Sequence, residues 1–327
     1  MLARLKELFD PFLAALIATV AAASLLPARG QGTAIVDLAG DAAILLLFFL
    51  HGAKLSRSAI VAGLGKWRLH LAVLATSFAA YPLLGLAAGW AARPISPTMA
   101  PGLVFLSLLP STVQSSIAFT SIAGGDVAAA IASASVSNLL GVIVTPLLAA
   151  ALMGAAGGGG HLGRAILHVG GQLLLPFVAG HLARPWVGGL VDRHKALVFR
   201  VDRGSILLLV YAAFSAAVVE GVWRRTDATD LLVALALGIA MLVAVLMLTK
   251  AATRLFGWPV ADEIVLRFCG SKKSLVSGVP LAAAIFPAAQ AGVVLLPVMI
   301  FHQVQLMACS VLARRYAIAH ERERASG

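Results

Sequence analysis

Charge is scarce in this chain. Only 12% of its 327 residues are Asp, Glu, Lys or Arg, against roughly 25% in an average soluble domain. That leaves too little polar surface for a water-soluble globule. Apolar runs longer than about 18 residues recur throughout, and the mean hydropathy is +0.95. The chain reads as an integral membrane protein. Cysteine is nearly absent: Cys269 and Cys309 stand at no metal-ligand spacing, so both read as buried free thiols and no disulfide framework is expected. Nucleotide-binding glycine loops, a hydrolase elbow and an HExxH helix are missing too. His51, His70, His161, His168, His181, His194 and His320 share no metal spacing, and no nucleophile–base pair stands out. Enzyme chemistry is not expected.

What charge there is favours one sign, with 25 Lys and Arg against 14 acidic residues and a net charge of +11. The basic residues fall in short loops between apolar stretches, the pattern of the positive-inside rule rather than of nucleic-acid binding. The stretches predict ten crossings, near 9–27, 34–51, 68–91, 99–122, 127–153, 164–183, 204–222, 230–256, 259–286 and 290–315. With the amino terminus inside, Arg29, Arg93, Arg164, Arg224 and Arg225 are the only basic residues on the far side, and Lys272 and Lys273 are left in the membrane. Both termini are then cytoplasmic. Arg4 and Lys6 precede the first apolar run as in a signal sequence, but no convincing cleavage site follows, so a retained first helix is expected. Compact loops without glycosylation sites suit a bacterial inner membrane.

The glycine run Gly157–Gly160 has the composition of a flexible linker. It separates residues 1–156 from 161–327, five crossings each. An odd number of crossings makes the second half enter the membrane in the opposite sense, as an inverted repeat. Each half has a polar interruption in its fourth span, then a short turn. A fifth span follows with a polar pair, Ser137-Asn138 or His302-Gln303.

The first interruption begins at Pro110, which lacks a backbone donor and frees carbonyls there. Ser111, Thr112, Gln114, Ser115 and Ser116 follow within six positions. Hydroxyls and unwound carbonyls suit a small cation or a polar solute. The alternative is a proline kink whose hydroxyls bond back to their own helix. The second interruption is Gly270-Ser271-Lys272-Lys273-Ser274, with Gly270 as the expected helix break. Lys272 falls about 14 Å along the ninth helix, near the middle of a core about 30 Å thick. A lysine there could attract an anion, exchange a proton, or stand in for a bound cation; snorkelling to the interface is the alternative. Asn138, the chain's single asparagine, lies beside Ser133 and Ser137 on one face of the fifth span.

Three stretches resemble a known family: Leu109-Pro110-Ser111-Thr112-Val113-Gln114-Ser115-Ser116, Ser137-Asn138-Leu139-Leu140-Gly141 and Phe268-Cys269-Gly270-Ser271-Lys272-Lys273-Ser274. They are similar to the bile acid:sodium symporter family, solute carrier family 10, in its SBF-like branch, which includes the orphan seventh member. The resemblance covers essentially the whole chain. It implies an all-α membrane fold of ten helices in two inverted five-helix repeats. A panel of helices 1, 2, 6 and 7 would face a core of helices 3–5 and 8–10, with broken helices 4 and 9 crossing in the core. It also implies sodium ligands at Gln114, Ser115, Ser133 and Ser137, and a cavity lined by His302 and Gln303. The family's ninth-helix Glu, Gln and Asn fall on Phe268, Lys272 and Lys273, which places positive charge where sodium sits in bile acid carriers. This departure weighs against a two-sodium site and against bile acid as substrate.

The expected function is secondary active transport of a small, anionic organic solute by alternating access, coupled to sodium or protons. Ser271, Lys272, Lys273 and Ser274 would join the first-break residues, Asn138, His302 and Gln303 at the site. The competing expectation is a regulatory or scaffold membrane protein that keeps the fold and moves nothing. The partners expected are the solute and membrane lipid, not nucleic acid, and no cofactor is expected.

Overall fold

The computed structural model describes residues 11–54, 63–153 and 162–326. The glycine run Gly157–Gly160, with the expected boundary between the halves, lies outside them, as do Arg4, Lys6, Arg57 and His161. Among the described residues every regular element is helical. They are α1 (Pro11–Leu25), α2 (Gln31–Lys54), α3 (Trp67–Ala92), α4 (Ala100–Leu108), α5 (Val113–Ile122) and α6 (Val127–Leu152). Then come α7 (Leu162–Arg193), α8 (Lys195–Val219), α9 (Ala228–Leu255), α10 (Val260–Ser271), α11 (Leu275–Ile285) and α12 (Ala288–Ser326). A helix satisfies its own peptide groups, which is why a chain this apolar takes no other form in lipid.

Six of these helices (α2, α3, α6, α8, α9 and α12) are long and apolar enough to cross a membrane. The pair α4 and α5, bent by 67° at its break, passes the same test when the two are taken together, as a broken span or a re-entrant loop. This is a multi-pass integral membrane protein. The pair α10 and α11 carries Asp262, Glu263, Arg267, Lys272 and Lys273, which lowers its hydropathy. Helices α7, α8 and α12 run past the apolar windows that the sequence marks, because a helix continues into charged segments such as Arg184–Arg193 once its end leaves the apolar layer.

The chain divides into two compact units, each drawing on both halves of the sequence. One comprises Met1–Leu55, Ala149–Asp227 and Val279–Leu295; the other comprises Ser56–Leu148, Ala228–Gly278 and Leu296–Gly327. In the first, α2 and α7 pack closely, a Cβ at Gly52 overlapping the carbonyl of Phe177. Small residues allow such backbone approach between membrane helices.

The second unit contains both interruptions. Two of its helices end in the same device. Gly124 after α5 and Gly257 after α9 have φ of 76° and 63°. The next residue bonds back to the helix, Gly125 N–H to Thr120 O at 2.9 Å and Trp258 N–H to Thr253 O at 3.0 Å. This is the left-handed glycine stop. It reverses the chain quickly and sets Asp126 beside the start of α10, where Lys66 bridges Asp126 at 2.8 Å and Asp262 at 2.6 Å. Hydrogen bonds from the Ala129 N–H and the Lys66 ammonium hold the Asp126 carboxyl below its usual range. The two carboxylates, Asp126 first, push the Lys66 ammonium up.

Candidate functional site

Both interruptions are true breaks, and they meet. In the first, Leu109 is extended (φ −70°, ψ 151°), the conformation favoured before a proline, and Thr112 is extended too (ψ 125°). Helix resumes at Val113, so Gln114, Ser115 and Ser116 are helical rather than unwound. In the second, Lys272 is extended (φ −100°, ψ 148°) and helix resumes at Leu275. Gly270 is not the break expected of it. It lies inside α10, where a Cβ would come within 3.2 Å of Thr76 Cγ2, so it serves packing.

A buried break must place its freed peptide groups elsewhere, and here the four carbonyls from Ser107 to Pro110 each have a partner. Ser107 O and Leu109 O accept from Lys273 Nζ at 2.8 and 2.7 Å. Leu108 O accepts from the Thr145 hydroxyl at 2.7 Å, and Pro110 O from Ser274 N–H at 2.9 Å. The second break is answered by the first. Thr112 Oγ1 donates to Lys273 O at 2.9 Å and Ser116 Oγ to Phe268 O at 3.0 Å. Tyr81 Oη donates to Ser271 O. The hydroxyls of Thr112 and Ser116, expected as solute or ion ligands, therefore donate to backbone.

Gln305 on α12 holds the middle of the second break like a neighbouring strand. Its Oε1 accepts from Lys273 N–H and its Nε2 donates to Lys273 O, both at 2.8 Å. His302 Nδ1 lies 3.0 Å from the same amide nitrogen. Gln305 lies three residues from His302, one turn along the same helix. Its signal was there to find, as an amide three residues from His302 on the same face. Ser277 was missed too. It donates to Asn138 Oδ1 at 2.8 Å and accepts from Ser274 Oγ at 3.0 Å, which links Asn138 and Ser274 in one chain.

The two lysines are both buried, 0% and 1% exposed, so neither snorkels. Their surroundings differ. The Lys273 ammonium also donates to Ser77 O at 2.8 Å, in the π-helical turn Thr76–Ala80 of α3, and lies 4.2 Å from the Tyr81 ring centre. The Lys272 ammonium has no hydrogen-bond partner and sits 4.0 Å over the Phe119 ring, with Phe268 at 5.7 Å. Ser111 Oγ, Ser115 Oγ, Ser271 Oγ and Gln303 Oε1 are likewise buried without a hydrogen-bond partner. The remaining predicted ligands are dispersed. Ser137 Oγ accepts from Ser111 N–H at 3.1 Å, Ser133 Oγ lies 2.6 Å from His70 Nδ1, and Gln114 is exposed. No hydrogen bond links the four residues expected to hold sodium. His70, without apparent purpose in the sequence, is the partner of Ser133.

Both thiols are free and buried at 0% exposure. Cys269 Sγ is 3.7 Å from Ala130 O, and Cys309 packs with Ile264 and Phe268. Among the described residues no group of three or more His, Cys, Asp or Glu side chains gathers to hold a metal.

Known proteins place the chain. It is 49% identical over 317 residues to the Escherichia coli protein named "Putative symporter YfeH", covering 96% of this chain and 94% of that protein. It is 50% identical over 317 residues to Pseudomonas aeruginosa "Uncharacterized protein PA2026", covering 97% and 95%. Zebrafish (Danio rerio) "Sodium/bile acid cotransporter 7" is 25% identical over 283 residues, 83% of this chain and 81% of that protein. The symporter and cotransporter among these relatives, and the family, are transporters rather than enzymes. With residues 10–318 matched by its model, the chain belongs to the SBF-like CPA transporter family.

Proposed function

We propose that this protein moves a small anionic organic solute across a bacterial inner membrane by alternating access, as a secondary transporter. The observation that carries this reading is a buried ammonium, Lys272, without a hydrogen-bond partner where two broken spans meet. An unpaired charge in an apolar interior is costly and is retained where it has work. An anion would supply the missing partner, and Ser111, Ser115 and Ser271 offer further polar atoms near the breaks in sequence, with Gln303 on α12 another. His302, Asn138 and Ser274 are bound into the networks that shape the backbone there. The transport cycle uses ten crossings arranged as two inverted halves, with both termini cytoplasmic. Two features support that arrangement: broken fourth and ninth spans at matching places in the halves, and units that each draw on both halves.

The test is a thermal-stability screen of small anionic metabolites on the purified protein, in sodium and in choline salts and across pH. Hits are then followed as labelled uptake into proteoliposomes. A hit should stabilise the wild type and lose its effect in Lys272→Met. A panel that leaves the wild type unmoved, or a variant that responds equally, would overturn the reading. Comparing the salts and pH values separates coupling to sodium from coupling to protons.

A further inference from the structure

We propose that Lys273 is a cation built into the chain, its ammonium filling a carbonyl cage that would otherwise require a free monovalent cation. The inference rests on the reading of the crossing as a transport site and concerns what that site needs in order to assemble.

The cage is made of backbone. Ser77 O comes from the π-helical turn of α3, Ser107 O from the last turn of α4, and Leu109 O from the unwound stretch beyond it. They converge on one nitrogen at 2.8, 2.8 and 2.7 Å. Carbonyls released by helix ends and unwound turns are what transporters and channels use to replace a cation's water shell. The dipole at the end of α4 adds negative potential there. The Tyr81 ring face, 4.2 Å from the nitrogen, completes an environment suited to a cation. Among the described residues no carboxylate pairs with Lys273, so the charge is balanced by oriented dipoles alone.

The chemistry of the amine sets its role. An ammonium has three hydrogens and the cage has three acceptors. A neutral amine would turn its lone pair toward one of the carbonyls, so proton exchange would disrupt the cage. An anionic solute would have to displace a carbonyl to reach any of the three donors. Lys273 therefore neither carries protons nor binds the solute; both tasks are open only to Lys272, whose donors are unused. Tethering also fixes register. The nitrogen is joined through its own side chain to the second break and bonded to the first, so one residue locks the two interruptions together. A free ion would do this only while bound.

The experiment melts the purified full-length protein in the chlorides of sodium, potassium, ammonium and choline at one ionic strength. Wild type in each salt sets the reference for the variants in that salt. Lys273→Ala is expected to melt several degrees lower in choline and to recover part of that loss in ammonium or sodium, which refill the cage. Lys273→Met, which keeps the stem and removes the charge, is expected to fall as far and to recover less because its side chain fills the space. An equal loss of Lys273→Ala in all four salts would overturn the proposal, as would no loss. If neither variant folds in choline, expression and purification in ammonium chloride decide: a folded Lys273→Ala there upholds the proposal, and none overturns it. Solute uptake is not the readout, so this proposal and the transport reading can fail separately.

Discussion

The two breaks interrupt their spans alike, yet they are encoded differently. The first is local. Pro110 cannot donate and disfavours the helical region at Leu109, so a cue for parting lies in the residues themselves, although Pro146, Pro176, Pro185, Pro280 and Pro297 stay inside helices. The second has no proline, and its glycine sits inside the helix before it. Lys272, Lys273 and Ser274 stay out of the helix because other parts of the chain hold them so: Gln305 takes both peptide groups of Lys273, and Pro110 O takes the N–H of Ser274. One interruption is written in its own residues and templates the other. The second should therefore be the more fragile.

Breaking the second break should have the largest effect. Gln305→Ala leaves the N–H of Lys273 without its acceptor and removes a donor from its carbonyl, at about 1–3 kcal/mol for each buried group left unpaired. A loss of about 2–4 kcal/mol in a denaturation titration is expected, together with faster amide exchange at Lys273. An unchanged midpoint would mean that the second break holds itself.

The first break is tested through its packing. A Cβ at Gly141 would stand 2.5 Å from Pro110 Cβ. Gly141→Ala should cost about 1–3 kcal/mol by overpacking. Most of that should return in the double variant with Pro110→Gly, read against Pro110→Gly alone, because glycine removes the Cβ as well as the ring. Additive losses would show that ring and glycine do not oppose one another.

Between the lysines the sign should reverse. Lys272→Met removes an unbonded charge from an apolar pocket and should raise stability by about 1 kcal/mol, whereas Lys273→Met should lower it. Equal shifts in calorimetry would erase the distinction between them.

The smallest effect belongs to the bridge that ties α10 to the turn after the first broken span. The Asp126 carboxyl is held below its usual range, so its contribution is present above the ordinary carboxylate range and is lost as pH falls through the lowered value. Lys66 is raised, so its share is present below the ordinary lysine range and fades as pH rises through the raised value. With Lys66 and Asp126 side chains 43% and 28% exposed, solvent screens the pair. Asp126→Asn, which keeps the helix cap, should cost less than about 1 kcal/mol and flatten the acid side of the stability profile. A steeper acid limb in the variant would contradict this.

This contrast also explains what could be read from the residues. Apolar length marked the six long helices α2, α3, α6, α8, α9 and α12, since the bilayer rewards little else, and Pro110 marked the first break to within a residue. The second was expected at Gly270 because glycine is the local cue, whereas its cause, Gln305, is 32 positions away on another helix. The polar side chains were legible as a set but not in their roles. Thr112 and Ser116 have the composition of ligands and the geometry of backbone partners. A sequence lists hydroxyls without saying which carbonyl each will face. Ser277 and His70 were passed over because a single polar residue in an apolar run has no pattern of its own.

The shielding of Cys269 and Cys309 gives the molecule a native pair of reporters. Cys269 lies three residues before Lys272, and Cys309 packs against Phe268, whose ring lies near the Lys272 ammonium. In the state described here a maleimide cannot reach either sulfur. Alkylation during turnover would record each moment when this region opens to water, with no engineered label needed.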